Sequence, residues 1–363
     1  MNFDFSEEQN MLVQSLERSL AKSYDFEAFR EQLASKITHV PETWNMLAEL
    51  GVMAMPLPES AGGFDGNHVD IMAVCTELGR KLITEPYVSS VVLAAYIFEA
   101  TGGAPADEHL PKIAMGEQKY AVGFYEPGDR HNTLASATTA TQTADTWKLS
   151  GHKAVVLGAD TADFLIISAG GDSVFLLPAN AEGVSLNQYQ LLDGRGAADV
   201  VLNGAEAVLL GTAGGSAAII EEAADRAAAA LTADTLGAFD EIIEMTKEYL
   251  RTRTQFGRPI GSFQVLSHRM VDLLVDVEQA KSIAMEAAVE ARNKDVTIRM
   301  KAVSAAKAKI GAISRKFGQE SVQMHGGIGV TDEYALGAYV KRLLVNEMLF
   351  GDADYHLTRY ANL

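Results

Sequence analysis

Apolar positions recur along this chain in more than one rhythm. Near the start, Met11, Leu12, Leu16 and Leu20 recur at helical spacing, with four-residue steps from Leu12 on, the pattern of a helix with one buried face. Ser6 followed by Glu7 and Glu8 predicts where that helix begins, with a hydroxyl N-cap and acids in the first turn, where the helix dipole favours negative charge. Trp44, Leu47 and Leu50 predict another helix, stopped at Gly51. Pro56, Pro58, Gly62 and Gly63 break the pattern, and residues 69–80 and 86–100 resume it.

From about residue 118 to 211 the rhythm shortens. The runs Phe164-Leu165-Ile166-Ile167 and Val174-Phe175-Leu176-Leu177 lie between turn formers, in a segment rich in Thr, Val, Gly and Asp, and predict short strands. Residues 147–153 alternate and read as a hairpin. From Gly215 the helical period returns in three long stripes: Leu236, Phe239, Ile243 and Leu250; Leu266, Met270, Leu273, Val277, Ile283 and Ala287; Met300, Val303, Ile310, Ile313 and Phe317. The expected fold class is mainly α with a small β domain. The expected domains are an N-terminal helical domain over 1–115, an antiparallel β domain over 116–214 and a C-terminal four-helix bundle over 215–363, hinged near Gly211–Gly215.

Composition narrows the function. A 48% apolar fraction allows a large core, and a net charge of -18 argues against nucleic acid or an anionic membrane as the main partner. Cys75 stands alone, so an intramolecular disulfide and a cysteine-based metal site are excluded, and no metal is expected. The start carries Asp4, Glu7 and Glu8 with no Lys or Arg through Gln9, the reverse of a targeting peptide. The most apolar run, residues 88–98, is too short to span a bilayer and reads as a core helix. A cytoplasmic protein without membrane insertion is the expectation.

Two glycine-bearing motifs close long helices. One is Arg253-Thr254-Gln255-Phe256-Gly257-Arg258-Pro259-Ile260-Gly261, running on to Phe263-Gln264; the other is Gln323-Met324-His325-Gly326-Gly327-Ile328-Gly329. A guanidinium at a helix end can pair with a pyrophosphate, and glycine lets a backbone N–H approach a phosphate with no Cβ in the way. Each motif also has a plain reading, as a solvated cation on the helix dipole and as a helix stop.

With the opening FDFSEEQ and the early LAELGVMAMPLPESAGG, these motifs fall in the order and at the intervals of the acyl-CoA dehydrogenase family, which the chain resembles from residue 3 to 334. The resemblance implies FAD as cofactor, an acyl-CoA thioester as substrate and an electron-transferring flavoprotein as electron acceptor. It implies that Arg253, Gln255, Phe256, Gln264, Gln323, Gly326 and Gly327 bind the cofactor, Arg253 and Phe256 reaching the FAD of a neighbouring subunit.

Elsewhere the chain departs from the family. The flavin-ring signature Thr-Glu-Pro reads Tyr125-Glu126-Pro127, its following Ser-Asp is replaced by His131-Asn132 or lost, and Trp-Ile-Thr-Asn falls on Val155-Val156-Leu157-Gly158. The family's catalytic glutamate falls on Phe350, the alternative glutamate early in the bundle falls on Ala227, and an arginine often found there falls on Ala228. Asp352, Asp354 and Asp225 are the remaining carboxylates for a base, with His356 a further candidate. The expectation is therefore one subunit of a hetero-oligomeric acyl-CoA dehydrogenase, of the type that breaks down sterols or dicarboxylates, joined by a second acyl-CoA dehydrogenase subunit. The alternatives are a self-sufficient homo-oligomer using Asp352 or Asp354, and a scaffold that has lost the cofactor. The alanine-rich stretch Ala223–Ala230 suggests room for a bulky acyl group.

Overall fold

Ser6 caps the first helix as its sequence predicts. Its Oγ accepts the Gln9 N–H at 3.2 Å, and the Ser6 N–H donates to Gln9 Oε1 at 3.0 Å, which satisfies two donors a helix start would leave open. The computed structural model describes residues 5–143 and 146–363, the side chain of Ser23 excepted, so Phe3 and Asp4 of the opening motif lie outside the described residues.

The helices α1 (Glu7–Ser23), α2 (Phe26–Ala34), α3 (Pro41–Glu49) and α4 (His68–Arg80) come first. A π-helical stretch, Val88–Ala94, then runs into α5 (Ala95–Thr101), followed by α6 (Gly103–Ala114). The stretch 88–94 is wholly buried, as expected of a core helix. Seven strands follow: β1 (Tyr120–Gly123), β2 (Thr139–Thr143), β3 (Thr146–Leu157), β4 (Phe164–Ala169), β5 (Ser173–Pro178), β6 (Val184–Gln190) and β7 (Gly196–Leu210). The chain closes with α7 (Ala217–Thr252), the short strands β8 (Thr254–Gln255) and β9 (Arg258–Pro259), and α8 (Gln264–Glu290), α9 (Val296–His325), α10 (Leu336–Met348) and α11 (Ala353–Ala361). The helix, sheet, helix order is the one the hydrophobic rhythm predicts.

The backbone gathers into two compact units, one formed by residues up to 29, 72–83 and 228–363, the other by residues 30–71 and 84–227. In the second unit the sheet order is β1-β4-β5-β7-β3-β2, with β6 also on β7. Every pairing is antiparallel except β1 with β4, which is parallel. Leu149, Val156, Leu165, Phe175, Leu177 and Val200 fill its core.

Residues 147–153 do not form the expected hairpin. They are part of the single strand β3, which pairs antiparallel with β2 from Thr139 opposite Ser150 to Thr143 opposite Thr146. A Cβ on Gly151 would stand 2.6 Å from the Cα of Thr138, so this glycine answers a close approach of two backbones and not a turn.

In the first unit the predicted stripes face inward: Leu236, Phe239, Ile243, Leu250, Leu273, Val277, Val303, Ile310, Ile313 and Phe317 are all buried. Gly237 of α7 lets α4 approach, because a Cβ there would meet the Thr76 carbonyl at 1.9 Å. Asp295 caps α9 by accepting from the N–H groups of Thr297 and Ile298. Among the described residues no helix is long and apolar enough to cross a membrane.

Candidate functional site

The segment after α7 does more than end a helix. Thr254 and Gln255 pair with Pro259 and Arg258 as a small hairpin, and the Ile260 N–H donates to the Arg253 carbonyl at 2.8 Å. Its tip residues, Phe256 and Gly257, both lie in the left-handed region, at φ 53° and 78°. Two-residue turns of this kind favour Asn or Gly at the first position, and a bulky residue there is strained by on the order of 1 kcal/mol. The strained residue is also the most exposed large apolar side chain of the described residues, Phe256 at 92%. Below it, Phe263 takes the Arg258 guanidinium on its face at 4.1 Å and meets the Phe256 ring edge-on.

Arg253 is exposed, and its guanidinium has no ion-pair or hydrogen-bond partner among the described residues. In a chain with 48 acidic and 30 basic side chains, that leaves a cation open to an anion from outside. Gln255 and Gln264 are exposed beside it in sequence, Gln264 as the first residue of α8.

The second motif reads differently glycine by glycine. Gly326 ends α9 at φ 64° and its N–H bonds the Val322 carbonyl, so its role is conformational. Gly329 packs, because a Cβ there would lie 3.0 Å from the Cβ of His325. Gly327 has neither reason, for its φ is not left-handed and a Cβ would meet nothing within 4 Å. Gln323, Gly326 and Gly327 are all exposed.

A column of rings brings the two motifs together. Tyr249, one helical turn before Arg253, stacks on His325 at 4.8 Å, and His325 meets the Tyr334 ring at 5.2 Å. The last turns of α7 and α9 therefore lie side by side, and the hairpin and the glycine turn leave from neighbouring points. His325 is 3% exposed; its Nδ1 lies 2.8 Å from the Ser321 carbonyl and its Nε2 lies 3.2 Å from the Tyr334 hydroxyl. Burial holds its pKa below the usual imidazole range, against the opposing pull of the Ser321 and Met245 backbone groups.

The carboxylates named as possible bases have other settings. Asp352 Oδ1 accepts the Tyr355 N–H at 2.8 Å as the N-cap of α11, and Asp352 is 8% exposed. Asp354 is exposed in the first turn of the same helix. Asp225 is buried in α7 and belongs to the other compact unit. Its neighbour Arg226 pairs with Glu222 at 2.6 Å and stacks 3.8 Å over the Tyr96 ring. Ala223 and residues 227–230 are buried.

Phe350 stands in a turn held from two sides. Lys307, itself buried, donates to the carbonyls of Asn346, Glu347 and Leu349 at 2.6, 3.3 and 2.8 Å. His356 Nε2 donates to the Phe350 carbonyl at 2.8 Å, while Phe350 sits at φ 55° with 8% exposure. An aromatic residue in the left-handed region, fixed by buried donors, is a turn whose shape the surroundings determine.

The sheet carries a second set of anchors. Glu126 gathers the N–H groups of Ser136, Ala137 and Thr138, the Ser136 hydroxyl and the Lys153 ammonium. Burial alone would raise its pKa, but these donors hold the carboxyl well below the ordinary range. Val155 lies at φ 51° in a bulge of β3, its N–H fixed by Asp199 at 3.0 Å, and Leu157 is buried at 7%. Sequence reasoning missed the Glu126–Lys153 pair and the ring column; the one signal available for the column was His325 inside the motif.

Comparison with known proteins matches residues 6–117 to the N-terminal domain of acyl-CoA dehydrogenase and residues 214–362 to its C-terminal domain. A curated relative, the acyl-CoA dehydrogenase IpdE2 of Mycolicibacterium smegmatis, is 26% identical over 98% of each chain. A variant of the Tcur3481–Tcur3483 steroid ACAD superposes with a TM-score of 0.90 at 28% identity, covering 98% of this chain and 97% of that one. The ChsE4–ChsE5 complex from Mycobacterium tuberculosis contains a chain that superposes with a TM-score of 0.91 at 25% identity, over 100% of this chain and 98% of that one.

Proposed function

Given that the chain belongs to the acyl-CoA dehydrogenase family, an FAD-dependent family of oxidoreductases, we propose that it is one subunit of a hetero-oligomeric enzyme that desaturates an acyl-CoA thioester of steroid breakdown. The observation that carries this reading is the contrast between its two ends. The groups suited to a pyrophosphate stand free and exposed, and in the register that the family resemblance implies the base position falls on Phe350.

The residues fit the cofactor at its pyrophosphate end. Arg253 supplies an unpaired guanidinium, Gly327 an open approach to the backbone, and Phe256 an apolar surface for a flat group. Gln255, Gln264 and Gln323 supply amides, and Gly326 sets the turn. FAD, when bound, supplies the acceptor for hydride from the acyl Cβ. In this reading the FAD is shared with the partner chain, which brings the carboxylate that takes the Cα proton. A hairpin strained to expose an aromatic ring suits a contact completed by another subunit. The names of the similar structures, one a steroid ACAD and one a two-chain complex, support both the substrate class and the partner. An electron-transferring flavoprotein is the expected electron acceptor, and the cytoplasm the expected compartment.

The self-sufficient alternative asks Asp352 to leave its cap or the 349–352 turn to shift against Lys307 and His356, so it is the weaker reading. The test is flavin content. Purified alone, the chain should carry little FAD; co-expressed with its partner, the complex should be yellow and active. Arg253→Ala in the complex should strip the flavin, and full retention would overturn the assignment.

A further inference from the structure

Building on that reading, we propose that His325 and Tyr334 form a positioning pair that sets the distance between the Arg253 hairpin and the Gly327 turn, so that both reach one dinucleotide pyrophosphate. The argument begins with hydrogen-bond roles. The Ser321 carbonyl can only accept, so His325 must carry its proton on Nδ1. With the proton there, Nε2 can accept from the Tyr334 hydroxyl 3.2 Å away, while the Met245 backbone faces the same ring. Both ring nitrogens are committed and the imidazole is neutral, in keeping with its lowered pKa.

This arrangement fixes the ring in rotation as well as in place. Hydrogen bonds at both nitrogens favour one ring orientation, in which its face stacks on Tyr249 at an interplanar angle of 24°. Tyr249 sits one turn before Arg253 on α7, whereas His325 is the residue before Gly326 on α9. Gly329 rests on His325 from the far side of the glycine turn. His325 therefore meets the helix that carries the hairpin through its ring, at Tyr249, and the glycine turn through its Cβ, at Gly329, from the end of the helix that runs into the glycines. Around it stand the Tyr249 and Tyr334 rings and the Ser321 and Met245 backbone groups. None of these touches the space over Gly327, so the pair acts through the backbone it holds, not by contact with the ligand.

The experiment uses the full chain assembled with its partner. Tyr334→Phe removes one hydroxyl and keeps the ring, and His325→Phe keeps the stack and removes both hydrogen bonds. FAD affinity is read by flavin fluorescence, and ADP serves as a competitor that lacks the flavin ring. Both variants should weaken FAD and ADP alike, by about tenfold, corresponding to about 1.4 kcal/mol. The FAD concentration for half-maximal activity should rise more than the rate at saturating FAD falls. A merely structural role would instead lower thermal stability and leave affinity in the folded complex unchanged, which would overturn the proposal. If His325→Phe does not assemble, Tyr334→Phe decides alone. If Arg253→Ala strips FAD while both variants keep it, the coupling fails and the shared site stands; if Arg253→Ala also keeps it, the shared site fails.

Discussion

Lys153 Nζ lies 2.8 Å from Glu126 Oε1, and neither side chain reaches solvent. The ammonium also donates to the Phe124 carbonyl and the Ser168 hydroxyl at 3.1 Å each. One buried cation thus joins β3 to β4 and to the loop that Glu126 organises. Removing one partner of such a pair strands a charge in a low-dielectric setting, at a cost of roughly 3–5 kcal/mol. Lys153→Met should lower unfolding stability by that order in a urea titration. The double change with Glu126→Gln should cost less than the sum of the two singles; simple additivity would show that the groups act independently.

Acid should destabilise the fold in two stages. His109 and His325 both have pKa values lowered by burial, so the unfolded chain binds protons more readily than the folded one. Their contribution is complete above the ordinary value of 6.5 and is lost as pH falls below it toward the folded-state values. Glu126, whose pKa is also depressed, holds its contribution above 4.5 and loses it as pH falls further. Melting temperature should therefore decline between pH 7 and 5 and again below pH 4.5, and the first decline should shrink in His109→Gln.

Phe256 should show opposite signs in two assays. Phe256→Gly relieves a left-handed aromatic residue that makes little use of burial, so the chain alone should gain on the order of 0.5–1 kcal/mol in thermal unfolding. The same change should weaken FAD retention in the assembled complex. Equal retention would remove Phe256 from the cofactor surface.

Asp352→Asn separates a cap from a base. Asparagine caps helices about as well as aspartate, so the α11 N-terminus should survive. If the partner brings the carboxylate, turnover of the complex should be unchanged; a fall of about a hundredfold, the scale of a lost general base, would return the role to this chain.

What was readable in the sequence followed the range of the interaction. The Ser6 cap, the Gly51 stop and the three long stripes rest on neighbours within a few turns, and they are legible as such. The Arg253 and Gly327 motifs were visible as candidates, but the hairpin at Phe256 was not, because a strained aromatic at a left-handed position runs against local preference. Lys153 reads as an exposed strand residue until Glu126, 27 positions away, is placed against it. Tyr249, His325 and Tyr334 likewise meet only once α7 and α9 pack. The hairpin expected over residues 147–153 does not form because the glycine there, Gly151, answers a close backbone approach and not a turn, and only the Thr138 contact tells the two apart.

The turn around Phe350 is held by groups that do not depend on the side chain at its centre. Lys307 and His356 grip main-chain carbonyls, groups that every residue type possesses. The path of the backbone there is held by these donors even at a left-handed φ of 55°, so it does not depend on the ring of Phe350 for its hydrogen bonds. On the proposed reading, a copy that has lost the acid at this position still carries the mount that its partner's site needs. On that reading, division of labour between paired chains asks for a single replacement, not for a new fold.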